Sequence, residues 1–66
     1  MNSRTIIRTL SGAEHHTPSY PHDVHVEITR ALDHERMAEF ETTSVPSQIY
    51  YIDPHQIESV RPDPYA

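Results

Sequence analysis

Asp23-Val24-His25-Val26-Glu27-Ile28-Thr29-Arg30-Ala31-Leu32 is the stretch on which the fold turns. Val24, Val26 and Ile28 alternate with His25, Glu27 and Thr29. Period two over β-branched residues predicts a half-buried β-strand. Arg30 breaks the apolar row and Leu32 resumes it.

The segment that follows admits two readings. Ala31, Leu32, Glu35, Arg36, Met37, Ala38 and Glu39 are good helix formers, which allows a helix over about 29–41. As a strand, Ala38, Phe40 and Thr42 share one face, and Met37, Glu39, Glu41 and Thr43 point to solvent. Glu35 and Glu39 interrupt the helical stripe that starts at Ala31. That interruption favours the strand, with a hairpin turning at Asp33-His34-Glu35.

Working back towards the N-terminus, residues 11–23 show no apolar periodicity and contain Pro18 and Pro21. They are expected to form a long His- and Pro-containing loop. Before it, Arg4–Leu10 reads as a strand with Ile6 and Leu10 on one face and Ile7 on the other, ended by Ser11-Gly12.

Towards the C-terminus, Val45-Pro46-Ser47-Gln48 is a turn with proline in its favoured second position. Ile49–Ile52 is a short strand. Asp53-Pro54-His55-Gln56 is a second turn, because an Asp side chain accepts from nearby amides and proline pre-sets φ. Ile57–Val60 is the last strand, and 62–66 is a tail. The phrase Tyr50-Tyr51-Ile52-Asp53-Pro54-His55-Gln56-Ile57-Glu58-Ser59-Val60 resembles one carried by the flagellar FlbD-like family. The resemblance covers about a sixth of the chain and implies strand-turn-strand geometry and no function.

The expected fold is therefore a single small domain, 1–66, of the all-β class. It would be a four- or five-stranded antiparallel sheet or a partly open SH3-like barrel, with α+β and a helix at about 29–41 as the alternative. The expected core is Ile6, Leu10, Val24, Val26, Ile28, Leu32, Ala38, Phe40, Ile49, Tyr51, Ile57 and Val60.

Composition limits what such a domain can do. The chain has 66 residues, six prolines, one glycine and no cysteine, and a mean hydropathy of −0.70. Leu, Ile, Val and Phe supply about a fifth of it, near the level below which charged chains stay unfolded. No disulfide or thiolate-metal staple can compensate. Self-pairing of sheet edges as a homodimer or higher oligomer, or burial against a larger protein, would complete so thin a core.

No apolar run approaches the length of a membrane span. The N-terminus has no apolar core of a secretory signal, so a cytoplasmic setting is expected. Five arginines without a lysine suggest a GC-rich coding sequence, as in a high-GC bacterium or its phage.

The formal charge is −5, which disfavours direct nucleic-acid binding. Protonating all six histidines would carry −5 to +1, so the charge changes sign as pH falls. Catalytic parts are missing. One glycine excludes a Gly-x-Ser-x-Gly elbow and a glycine-rich phosphate loop, and there is no cysteine nucleophile. No enzyme and no cofactor are expected.

The candidate metal ligands are His15, His16, His22 and His25, flanked by Glu14, Asp23 and Glu27. They lack the pair-plus-pair spacing of a structural metal site, which favours a solvated loop. Tyr50 and Tyr51 must face opposite ways, and with Tyr51 in the core Tyr50 points outward. Tyr20 lies in the loop. Exposed tyrosines suit protein interfaces.

The leading expectation is a non-enzymatic interaction module, such as a phage-encoded or accessory factor that binds and modulates a larger protein. Its contacts would be Tyr20, Tyr50, Glu27, Glu39 and Glu41. The first alternative is a histidine-dependent divalent-metal or pH-responsive binding protein. The second is an acidic nucleic-acid mimic, which requires Glu27, Glu39, Glu41 and Glu58 on one face.

Overall fold

The computed structural model describes residues 2–65; Met1 and Ala66, the ends of the expected domain and tail, lie outside the described residues. The elements run β1 (Thr5–Thr9), β2 (Glu14–Thr17), α1 (Pro21–Asp33), β3 (Ala38–Glu41), β4 (Ile49–Ile52) and β5 (Ile57–Pro62), with a 3-10 turn at Pro54–Gln56. The strands form two antiparallel sheets, ordered β2-β1-β5 and β3-β4. The fold is small and sheet-rich, but it is α+β rather than all-β.

The decisive stretch is a helix, not a strand. Val24, Ile28 and Ala31 are spaced i, i+4, i+7, so the same residues that alternate also make a helical stripe. That stripe is the side that packs inward: Val24 and Ala31 are buried, and Ile28 lies against the core. Pro21 starts the helix, where its missing N–H costs nothing and its φ is already helical. Asp23 in the first turn and Arg30 in the last suit the helix dipole. Val26 is half-buried, and Leu32 falls off the stripe and is exposed.

The expected hairpin turn at 33–35 is the exit of this helix. His34 is the C-cap, and Glu35 adopts the left-handed region with φ 52°. Arg36 N–H donates to Ala31 O at 3.0 Å, and Glu35 N–H donates to Leu32 O at 3.4 Å. This is the Schellman arrangement, with Glu where Gly usually stands. The alternative helix over 29–41 is displaced as well, because α1 stops at Asp33 and residues 38–41 are strand. Ala38 and Phe40 point inward and Glu39 and Glu41 outward, as the strand reading expects.

The expected loop at 11–23 contains β2 and the first turn of the helix. Gly12 takes φ 90° and donates to Thr9 O, which turns β1 back on itself. The turn already includes Leu10, and that is why Leu10 is exposed rather than in the core. β2 carries no apolar pattern, and only its pairing with β1 makes it a strand. Thr17 is fully buried opposite Thr5.

The inner face of β1 is Thr5, Ile7 and Thr9, the reverse of the expected Ile6/Leu10 face. The buried threonines are satisfied. Thr5 Oγ1 donates to Ser19 O at 2.6 Å, and Thr9 Oγ1 bonds Ser11 Oγ at 2.8 Å. Ile6 is nonetheless covered on the outer face, where Arg8 and Arg61 share Glu14, and Arg8 also reaches Glu58.

β4 is likewise turned over. Tyr50 lies over Phe40 and Ile52 is buried, while Ile49 and Tyr51, expected in the core, are exposed. The β3–β4 register pairs Phe40 with Tyr50 and Ala38 with Ile52, which fixes that side as inward. Ile7, Val24, Ala31, Ala38, Phe40 and Ile52 make the core, with Ile28, Tyr50, Ile57 and Val60 packed on it. Asp53 caps the 3-10 turn by accepting from His55 N–H at 2.9 Å, as the Asp-Pro pattern predicts.

α1 packs against β3 and β5, while β3 pairs with β4 and β5, β1 and β2 pair in turn. The elements thus form a ring that is open between β4 and β2. Tyr50 bridges the opening. Its hydroxyl donates to His16 O at 3.1 Å, and its ring stacks on His15 at 5.7 Å.

Candidate functional site

Each sheet has two edges, and an unsatisfied edge is a template for another strand. Backbone register shows which polar groups each edge presents, because alternate residues of an antiparallel ladder turn their N–H and C=O outward.

On β2 the outward residues include His16, whose carbonyl is taken by Tyr50, and Pro18 follows the strand. On β5 the register slips between Arg8 and Thr9, so Glu58 is the extra residue of a β-bulge. Pro62, which ends β5, has no N–H to offer. Asp63 N–H donates inward to Arg4 O at 2.9 Å.

On β3 the outward N–H of Glu39 donates to Glu27 Oε2 at 2.9 Å. Glu27 is itself held by Arg36, whose Nη1 and Nη2 donate to its two oxygens at 2.6 and 3.2 Å. Arg36 Nη1 also donates to Met37 O. This guanidinium holds the Glu27 carboxyl below its ordinary value, against a smaller opposing effect of burial. A charge-assisted bidentate pair therefore plugs the β3 edge from the helix.

On β4, among the described residues, no side chain takes the outward backbone groups, although Tyr50 crosses the same opening from the inner face to reach His15 and His16. Thr42 N–H donates to Gln48 O at 2.8 Å, which makes Phe40/Tyr50 and Ala38/Ile52 the hydrogen-bonded pairs. Ile49 and Tyr51 then turn their N–H and C=O groups to the open side of the ring. Their side chains stand on the outer face of the same sheet, 52% and 58% exposed. Opposite them are Glu41 and Glu39. Among the described residues Glu41 makes no ion pair.

The residues expected to act are not all brought together. Tyr20 is exposed at the N-cap of α1, with the Arg4 guanidinium 4.6 Å from its ring centre. Tyr50 points inward rather than outward; burial raises its phenol pKa to about 12, with a smaller opposing effect from a hydrogen bond to Thr17. Glu27 is consumed by Arg36 and Glu39, and Glu58 pairs with Arg8 on the other sheet. Only Glu39 and Glu41 share a face, so the four acids form no single acidic surface. The histidines also separate: His15 and His16 lie on opposite faces of β2, and His22 and His25 are exposed on α1. Among the described residues no three His, Cys, Asp or Glu side chains are placed to hold a metal ion.

Two further features were not singled out in the sequence. Ser3, His16 and Asp63 have the residue types of a hydrolytic triad, but Ser3 Oγ (3.2 Å) and Asp63 Oδ2 (3.4 Å) both meet His16 at Nδ1. A proton relay needs the acid and the nucleophile on different ring nitrogens, so the cluster ties the chain ends to β2. The Asp63 carboxyl is held below its ordinary value, chiefly by the Tyr65 N–H and then by the Ser3 hydroxyl. An open groove of about 510 Å³ lies between the end of α1 and the 3-10 turn, with Ala31 and Pro54 among its walls. Arg36, on its rim, is already engaged by Glu27, and Asp53 by His55 N–H.

No helix among the described residues is long and apolar enough to cross a membrane. No protein-family model, curated protein or solved structure matches the chain. The strand-turn-strand geometry implied by the FlbD-like phrase is present at β4, the 3-10 turn and β5.

Proposed function

We propose that the protein is a non-enzymatic interaction module that accepts an extended segment of a larger protein along β4 and modulates that protein by holding it. The reading is carried by β4, where an unplugged row of backbone donors and acceptors adjoins exposed Ile49 and Tyr51. Strand addition obtains affinity from main-chain hydrogen bonds and specificity from alternate side chains. Glu27, Tyr50, the Glu58 bulge and Pro62 blunt the other three edges, so pairing is directed to one place. Tyrosine and a β-branched residue on the flanking face add contact area at low entropy cost.

The test is selection from a library of random heptapeptides displayed on phage, against the wild-type chain and Ile49→Pro. That proline removes an outward N–H and leaves the β3–β4 ladder intact. Enriched peptides that bind the wild type and lose binding to a folded Ile49→Pro support the reading. Peptides that bind both proteins equally, or no enrichment, contradict it.

A further inference from the structure

We propose, resting on the reading that β4 accepts a strand, that the segment it takes is cationic, with Arg or Lys at alternate positions on the outer face. A strand added to β4 lies about 4.8 Å from it and about twice that from β3. Its outward side chains then meet two rows, Tyr51 followed by Glu39 and Ile49 followed by Glu41. A short side chain reaches only the first member of each row. A long cationic one lays its methylene stem over Ile49 or the face of Tyr51 and delivers its charge to the carboxylate beyond.

The charges at those carboxylates are not equivalent. Glu39 lies near Arg36, whose guanidinium is raised above its ordinary value chiefly by its hydrogen bond to Glu27 and least by the charge of Glu39. Glu41 has no cation among the described residues and is the stronger attractor. The five arginines are elsewhere: Arg8 and Arg61 serve Glu14 and Glu58, Arg36 serves Glu27, and Arg4 covers Tyr20. Arg30 lies in the last turn of α1. Arginines thus neutralise Glu14, Glu27 and Glu58, and this face keeps the uncompensated charge of Glu41 beside exposed Ile49 and Tyr51. A second copy is the poorer occupant, because it brings another −5 and its own Glu39 and Glu41 to the same sheet.

The experiment titrates the full chain with three seven-residue peptides that alternate valine with arginine, glutamine or glutamate, followed by amide shifts in the NMR spectrum. The arginine peptide should shift Ile49 and Tyr51 and bind about tenfold more tightly than the glutamine peptide, as two exposed ion pairs allow. The glutamate peptide should bind weakest. In Glu39→Gln/Glu41→Gln, with unchanged melting temperature, the arginine and glutamine peptides should bind alike. Equal binding of both peptides at Ile49 and Tyr51 of the wild type would overturn the cationic preference and leave strand addition standing. Arginine-peptide shifts confined to residues outside β3 and β4, or no response to any peptide, would overturn both. Concentration-dependent shifts at Ile49 and Tyr51 without peptide would assign the edge to a second copy and overturn this proposal.

Discussion

The carboxylate of Glu27, midway along α1, accepts the backbone N–H of Glu39 on the outer edge of β3 at 2.9 Å. One side chain thereby joins helix to sheet and removes an edge donor that another chain could use. Because Arg36 grips the same carboxylate, the interaction is charge-assisted and geometrically fixed.

Glu27→Gln should cost about 1 kcal/mol at neutral pH, since a charged hydrogen bond is lost while solvent access limits its value. The folded carboxyl pKa is depressed, so its contribution is present above the unfolded value of about 4.3 and is lost as pH falls through the folded value. Thermal melts of wild type and variant should therefore differ at pH 7 and converge in acid below pH 4.

Tyr50→Phe keeps the ring against Phe40 and His15 but leaves His16 O without its donor. A loss of about 1 kcal/mol is expected by denaturant titration. In the wild type the phenol pKa is raised to about 12, so the neutral form favours the fold. That contribution is complete below the unfolded value of about 10 and is lost as pH rises through 12. Ultraviolet titration of the tyrosines should show one group ionising late, and Tyr50→Phe should remove it.

Glu35→Gly should stabilise the chain. A non-glycine residue at φ 52° carries a steric cost of about 1 kcal/mol, part of which the larger unfolded-state entropy of glycine offsets. A rise in melting temperature of a few degrees is expected, and Glu35→Ala should give no such rise.

Ile7→Ala should cost about 3 kcal/mol, because Ile7 is fully buried at the centre of the core. Leu10→Ala should cost little, since Leu10 is 61% exposed in the turn after β1. Urea unfolding midpoints of the two variants separate these positions directly.

Part of the fold is legible in the chain, and the failures have specific causes. Ala38 and Phe40 inward with Glu39 and Glu41 outward, the Asp53-Pro54 turn and the final strand follow from local chemistry alone. The stretch at 23–32 misleads because Val24, Val26 and Ile28 satisfy period two while Val24, Ile28 and Ala31 satisfy the helical period. Pro21, at a distance suited to a first helical position, is the signal that separates the two. β2 has no signal of its own, because Glu14, His15 and His16 become a strand only beside β1. β4 matches both faces with apolar residues, so Ile49-Tyr50-Tyr51-Ile52 could not disclose which tyrosine turns inward. The edge plugs are long-range: nothing in the order of residues places Glu27 on Glu39 or Tyr50 on His16.

The most direct measurement is amide hydrogen exchange along β4, residue by residue, in the free protein and with a peptide selected for binding. Tyr50 and Ile52 should exchange slowly in both, while Ile49 and Tyr51 exchange rapidly alone and become protected with the peptide. Ile49 and Tyr51 amides that are already protected in the free chain, or that stay fast when the peptide is bound, would contradict β4 as the accepting edge.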